Sequence, residues 1–124
     1  MIIEIDDTKK VADLQDKFSL CFPSLKIKVC SKKHRWEGIC PDNQFLDENT
    51  GIATIRTVHE PGTIEIKSWS KVGEVEKEFY QKFGISIQIC YRCGERWIQT
   101  GKSDNLTIDD IQKRSFVYPV RELL

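Results

Sequence analysis

An internal repeat runs through this 124-residue chain at an offset of 61 positions. The matched apolar pairs are Ile3 with Ile64, Ile5 with Ile66, Val11 with Val72, Leu14 with Val75, Phe18 with Phe79 and Phe22 with Phe83. After one skipped residue, residues 25–30 align with residues 85–90. Matches that keep both the helix period and the strand period over this length are typical of a duplication. The sequence therefore predicts two repeats, residues 1–62 and residues 63–124.

Each repeat carries the same order of local elements. In the second repeat, apolar and polar residues alternate over residues 64–66, which is typical of a half-buried strand. Apolar residues then recur at spacings of three and four over residues 72–83, which predicts an amphipathic helix. Alternation over residues 85–89 predicts a second strand, and residues 96–100 a shorter third strand. The first repeat follows the same order, with its third strand around residues 35–39.

The ends of the two repeats predict further elements. Residues 52–58 read as a strand that pairs as a hairpin with residues 63–66, because the Glu-Pro-Gly sequence between them favours a turn. In the second repeat, residues 106–113 read as a short helical turn. Residues 116–120 then read as a closing strand.

Together these elements predict an α+β fold built from two strand-helix-strand-strand units, with mixed sheets each packed on one helix. The units form one pseudo-symmetric body or two closely apposed lobes. Over the second repeat, the order of elements resembles the ubiquitin-like β-grasp fold, at residues 62–66, Val72, Phe79, residues 84–85, residues 91–92 and residues 106–110. That resemblance implies a β-grasp-like fold. It implies little about function, because many unrelated activities use this fold.

Most of the chain also resembles a group of small, uncharacterised bacterial proteins of duplicated design. The similar stretches are residues 62–66, 72–83, 83–89, 94–97 and 104–112. This resemblance implies a shared fold and a cytoplasmic bacterial setting. It implies no activity, and it provides no catalytic residues to carry over.

Charge and hydropathy exclude some classes of function. Lys plus Arg number 19 and Asp plus Glu number 19, so no global excess of charge draws the protein to nucleic acid or to an anionic membrane. No run approaches the roughly 20 apolar residues of a membrane span, and the first residues lack the pattern of a signal peptide. Five cysteines without a secretory signal favour free thiols. We therefore expect a cytoplasmic protein without membrane contact.

Cys90 and Cys93 have the spacing of redox dithiols and zinc knuckles. On an extended strand, Cys90 points to the face opposite the isoleucines of residues 85–89, whereas Cys93 points to their own face. The two sulfurs then diverge unless a turn brings them together. A zinc site needs two further ligands, and the first repeat has no second pair at knuckle spacing. Two structural cysteines are the first interpretation, and a zinc or thiol site is the alternative.

Basic residues gather at the end of the first repeat's second strand. Lys26 and Lys28 alternate with apolar residues, so their side chains share the outward face. Cations beside an aromatic ring can bind single-stranded nucleic acid by neutralising phosphates and stacking on bases. The candidate contacts are Lys26, Lys28, Lys32, Lys33, Arg35 and Trp36. The alternative is a solvated face whose lysines prevent sheet association.

Trp69 lies at a predicted strand-to-helix turn, where an exposed Trp is a typical anchor for a protein partner and packing on the helix start is the alternative. His34 and His59 belong to no recognised catalytic motif, and no Gly-rich phosphate loop is present. We therefore expect a non-catalytic interaction or scaffold module without a cofactor. Its partner is another protein or a second copy that adds to a sheet edge. Nucleic-acid binding and a metal or thiol site remain the alternatives.

Overall fold

The computed structural model describes residues 1–32, 38–101 and 104–114. Its strands and long helices are β1 (Ile2–Ile5), α1 (Val11–Cys21), β2 (Leu25–Cys30), β3 (Gly62–Glu65), α2 (Val72–Phe83), β4 (Ser86–Cys93) and β5 (Arg96–Gln99). Two short 3-10 helices lie at Asp42–Gln44 and Ile52–Thr54, and a third α-helix, α3, runs through residues 108–114. This content confirms the predicted α+β class.

The two long helices begin in the same way. The Val11 amide donates to the Thr50 carbonyl at 2.9 Å, and the Val72 amide donates to the Leu106 carbonyl at 2.9 Å. In each helix, the next amide donates to a carbonyl two residues earlier in the same segment. The Ala12 amide donates to Glu48, and the Gly73 amide donates to Asp104. These bonds satisfy amides that have no acceptor inside the helix. At the other end of α2, Gly84 has a φ of 67°, the left-handed conformation that ends many helices.

Both sheets are antiparallel, and each contains strands from both predicted repeats. β1 pairs with β3, while β2, β4 and β5 form the second sheet in that order. The expected mixed sheets, one for each helix, are therefore wrong. Ile3 faces Ile64 across the first sheet, and Lys28 faces Gln88 across the second. The repeat in the sequence matches these same residues, so the register is the one expected for two units related by an approximate two-fold axis.

The hairpin predicted between residues 52–58 and residues 63–66 is wrong. Ile52–Thr54 is a 3-10 helix, and β3 pairs with β1 instead. The Ile52 side chain is fully buried, and its amide donates to the Lys9 carbonyl at 2.9 Å. Burial of this one side chain draws the segment onto the core, so the segment is not available to extend a sheet.

The other elements predicted for the ends of the two repeats form in part. Among the described residues, β4 and β5 are the only strands that are joined as a hairpin. The third strand of the second repeat forms as β5, and the helical turn at residues 106–113 forms as α3. The strand predicted near residues 35–39 lies largely, and the closing strand at residues 116–120 wholly, outside the described residues. No helix in the described part of the chain has the length and apolar character of a membrane span.

One hydrophobic core contains side chains from both halves of the chain. Phe18 of α1 and Phe79 of α2 hold matched positions in the repeat, and both are fully buried in this core. Gly62 begins β3 against the end of α2, where an added Cβ would lie 3.0 Å from the Phe83 Cε1 atom. The absence of a side chain at Gly62 therefore lets β3 approach α2. The two helices and two sheets pack around the same apolar centre.

Candidate functional site

Lys26 and Lys28 lie on the outward face of the three-stranded sheet, because the alternate residues of β2 are buried in the core. The Lys26 Nζ atom is 5.8 Å from the centroid of the Trp97 ring. The Lys28 Nζ atom is 4.4 Å from the centroid of the Phe45 ring. Both distances are within the range of cation–π attraction. The aromatic neighbours of these lysines are therefore Trp97 and Phe45, neither of which belongs to the patch predicted from the sequence.

The remaining residues of the predicted patch are only partly described. Lys32 is exposed in a bend after β2. Lys33, Arg35 and Trp36 lie outside the described residues. The structure therefore brings two of the six predicted contacts, Lys26 and Lys28, onto one surface with aromatic rings.

The structure adds Arg92 to this surface. Arg92 of β4 is the cross-strand partner of Trp97, and cross-strand partners share one face of a sheet. Strand alternation in β4 contained the signal for Arg92, since it places Arg92 on the same face as Cys90. Phe45 had no such signal, because it lies outside the strands, in a loop that an isolated bridge joins to Cys30.

The end of β5 is held by the segment around Cys40. The Gln99 side chain accepts a hydrogen bond from the Cys40 amide at 2.8 Å and donates one to the Cys40 carbonyl at 2.7 Å. This two-point contact places part of the loop after β2 beside β5.

Cys90 and Cys93 project to opposite faces of β4. Cys90 is buried on the outward face, whereas Cys93 packs against the hydrophobic core. Among residues 1–32, 38–101 and 104–114, no group of three or more His, Cys, Asp or Glu side chains is arranged to hold a metal ion. Burial raises the pKa of Cys90 to about 12, which disfavours the reactive thiolate. The geometry matches two structural cysteines.

We predict that alkylation of the folded protein separates the cysteines by exposure. Cys21 is exposed and reacts first, and the half-buried Cys93 follows. Cys30, Cys40 and Cys90 stay protected, because they are buried and burial raises the pKa of each thiol. Mass spectrometry after brief iodoacetamide treatment, with a urea-unfolded control, measures the order. Early modification of Cys90 would contradict this prediction and favour the thiol-site alternative.

Trp69 is on the surface, with 69% of its area exposed. It lies in the turn before α2, and the Lys67 Nζ atom is 5.4 Å from its ring centroid. Its exposure leaves it available as a partner anchor. It does not join Lys26 and Lys28 in any contact within the described part of the chain.

A buried polar network lies between α2 and the end of β5. Glu76 accepts hydrogen bonds through Oε2 from the Ile89 amide at 2.8 Å and from Gln88 Nε2 at 3.3 Å. Burial, and then the neighbouring carboxylate of Asp104, raise the pKa of Glu76 well above its usual range. Both side chains are buried, so solvent has little access to this pair of carboxyl groups.

A groove lies between the outer edge of β1 and helix α1. Met1 and Ile66 exchange backbone hydrogen bonds of 3.1 and 2.8 Å, so alternate residues of β1 bond to β3. Ile2 and Glu4, which lie between them, direct their backbone groups to the opposite edge. The groove has a volume of about 530 Å³ and is lined by Ile2, Ile3, Glu4, Thr8, Lys9, Asp13, Leu14 and Lys17. The sequence predicted open sheet edges, but it did not show that α1 forms a wall beside this one.

Comparisons with known proteins do not identify either surface. The chain matches no protein family, no curated protein and no solved structure. Function is therefore inferred from the groove at β1 and from the outward face of the three-stranded sheet.

Proposed function

We propose that this protein is a non-catalytic interaction module that binds an extended segment of a partner protein along the outer edge of β1. The observation that carries the proposal is the groove of about 530 Å³ between that edge and α1. A free strand edge beside a helical wall is suited to binding by strand addition. A cytoplasmic location is part of the proposal, and the five free thiols support it.

The backbone of β1 supplies the contacts for an added strand. Ile2 and Glu4 each direct an N–H and a C=O to the open edge, and β3 is the only strand paired with β1 among the described residues. A two-stranded sheet is only marginally stable without further packing, so a third strand would stabilise it. The Ile2 side chain is 55% exposed, and a partner strand would cover part of it. Main-chain bonds would provide affinity, and side chains at the rim would provide selectivity.

The rim of the groove carries charges of both signs. Glu4 and Asp13 are acidic, while Lys9 and Lys17 are basic. Asp13 is held in place because its Oδ2 atom accepts a hydrogen bond from the Lys10 amide at 2.8 Å. The mixed rim favours a partner segment that carries both basic and acidic side chains, which can pair with the acidic and basic residues of the rim.

A second copy of the chain fits this edge less well than a partner peptide. Two antiparallel β1 strands would have to pair through Ile2 and Glu4, the residues with open backbone groups. In the register centred on Ile3, the apolar Ile2 side chain of each copy lies opposite the Glu4 carboxylate of the other copy. In the register centred on Glu4, the two Glu4 carboxylates lie opposite each other. Like charges directly opposite each other destabilise a sheet. The edge is therefore better suited to a different chain.

The test uses proline at a position where the folded chain does not need the amide. The Glu4 amide faces the open edge, so Glu4→Pro keeps the β1–β3 bonds and removes a donor for an added strand. Peptides selected from a random displayed library are expected to bind the unmodified protein and to bind Glu4→Pro at least tenfold more weakly. Binding is also expected to slow hydrogen exchange of the Ile2 and Glu4 amides.

Thr63→Pro is the matched control, because Thr63 pairs with Glu4 and its amide faces the far edge of the same sheet. Thr63→Pro is expected to leave peptide affinity unchanged. Circular dichroism must show that both proline variants are folded. Equal peptide affinity for Glu4→Pro and the unmodified protein would rule out strand addition at β1.

A further inference from the structure

We infer that the outward face of the three-stranded sheet is a second binding site, and that its ligand is single-stranded nucleic acid. This basic sheet face consists of Lys26, Lys28, Phe45, Arg92 and Trp97. It lies on a different sheet from β1, and the inference does not depend on the proposed peptide groove.

The cations of the basic sheet face have no carboxylate partner in the described part of the chain. None of the ion pairs there includes Lys26, Lys28 or Arg92. Arg92 donates through Nε to the Gly94 carbonyl at 2.9 Å, which orients its guanidinium beside the turn. Three positive charges on one sheet face, none of them in an ion pair within the described part of the chain, form a local site for a polyanion, even though the whole chain has no net charge.

Each lysine of the basic sheet face lies beside an aromatic ring. Lys26 is 5.8 Å from the Trp97 centroid and Lys28 is 4.4 Å from the Phe45 centroid. Trp97 keeps 37% of its area exposed, and Phe45 is half-buried. A base can stack on the exposed part of a ring while the adjacent ammonium group neutralises a phosphate.

The alternation of cations and rings favours nucleic acid over an acidic peptide. Lys26 and Lys28 are two residues apart on one strand, a separation of about 6.7 Å. Arg92 is directly across from Trp97 on the neighbouring strand. An acidic peptide would pair with these cations but would leave the aromatic faces without a planar partner. A single strand supplies phosphates and unstacked bases together, whereas a duplex hides its base faces.

The experiment measures fluorescence anisotropy of labelled oligodeoxythymidylate of about 12 nucleotides over a range of salt concentrations. Binding is expected to weaken steeply with salt. The double variant Lys26→Gln with Lys28→Gln is expected to reduce the log–log salt slope by about 0.7 for each lysine that contacts a phosphate. Trp97→Leu is expected to weaken binding on the order of tenfold, and Trp97→Phe to recover most of that loss.

The matched control removes the same charge elsewhere. Lys77 and Lys113 are exposed on α2 and α3, and Lys77→Gln with Lys113→Gln is expected to leave the slope unchanged. No binding at the lowest salt concentration would overturn the inference. So would equal affinity for polyglutamate, or an unchanged affinity in Trp97→Leu, because either result would indicate a general anion or acidic-peptide surface. Peptide binding at β1 is measured separately, so failure of this site leaves the proposed function intact.

Discussion

Replacing Phe79 with alanine is expected to lower the free energy of unfolding by about 3–5 kcal/mol, within one cooperative transition of the whole chain. Phe79 is fully buried in a core to which both predicted repeats contribute. Truncation removes its apolar contacts and leaves a cavity that neighbouring side chains fill only in part. Urea denaturation followed by both circular dichroism and tryptophan fluorescence measures the loss and tests cooperativity.

Phe18→Ala is the matched variant in α1, since Phe18 holds the corresponding position and its ring centroid is 5.2 Å from that of Phe22. We expect a loss of similar size and again a single transition. Leu20→Ala is the surface control, because Leu20 is 77% exposed, and it is expected to change stability by less than about 0.5 kcal/mol. If Phe79→Ala does not fold, Phe79→Leu keeps the test measurable at a loss of about 1 kcal/mol. Two separate transitions in either Phe variant would show that the halves do not share one cooperative core.

Glu76→Gln is expected to remove a dependence of stability on pH. Burial and the neighbouring Asp104 raise the pKa of Glu76 in the folded protein well above the unfolded value of about 4.5. The folded state therefore holds a proton that the unfolded state releases as pH rises. This contribution to stability is complete below pH 4.5 and is progressively lost as pH rises above that value. Melting temperatures from about pH 5 to about pH 9 are expected to fall in the unmodified protein and to change much less in Glu76→Gln.

Two features make Glu76→Gln a clean test. The corresponding residue of α1 is Gln15, which donates through Nε2 to the Ile27 carbonyl at 2.9 Å, so an amide suits this position beside a strand. Hydrogen bonds from Thr8 and Thr107 lower the pKa values of Asp6 and Asp110 from 3.8, so these groups affect stability only at more acidic pH. Glu74→Gln is the exposed control in the same helix. An unchanged pH slope in Glu76→Gln would show that Glu76 is ionised in the folded protein.

Local periodicity predicted most of the secondary structure. The spacing of Val72, Val75, Phe79 and Phe83 predicts α2, and the alternation of isoleucines before Cys90 predicts β4; both elements form there. These patterns are readable because a helix or strand must bury one face, whatever lies against that face. Strand pairing was predicted less well. The segment from Ile52 has the composition of a strand, yet the buried Ile52 side chain and the bond from its amide to the Lys9 carbonyl hold it as a 3-10 helix.

In the candidate sites, too, local patterns predicted side-chain directions but did not predict tertiary contacts. Alternation along β2 and β4 was sufficient to place Lys26 and Lys28 on one face and to separate the Cys90 and Cys93 sulfurs, because side-chain direction on a strand depends only on position along it. The contact of Lys26 with Trp97 arises because β4 lies between β2 and β5. The groove at β1 and the raised pKa of Glu76 likewise depend on which segments pack together. Such contacts join residues far apart in the chain, and no local pattern encodes their distance, burial or charge.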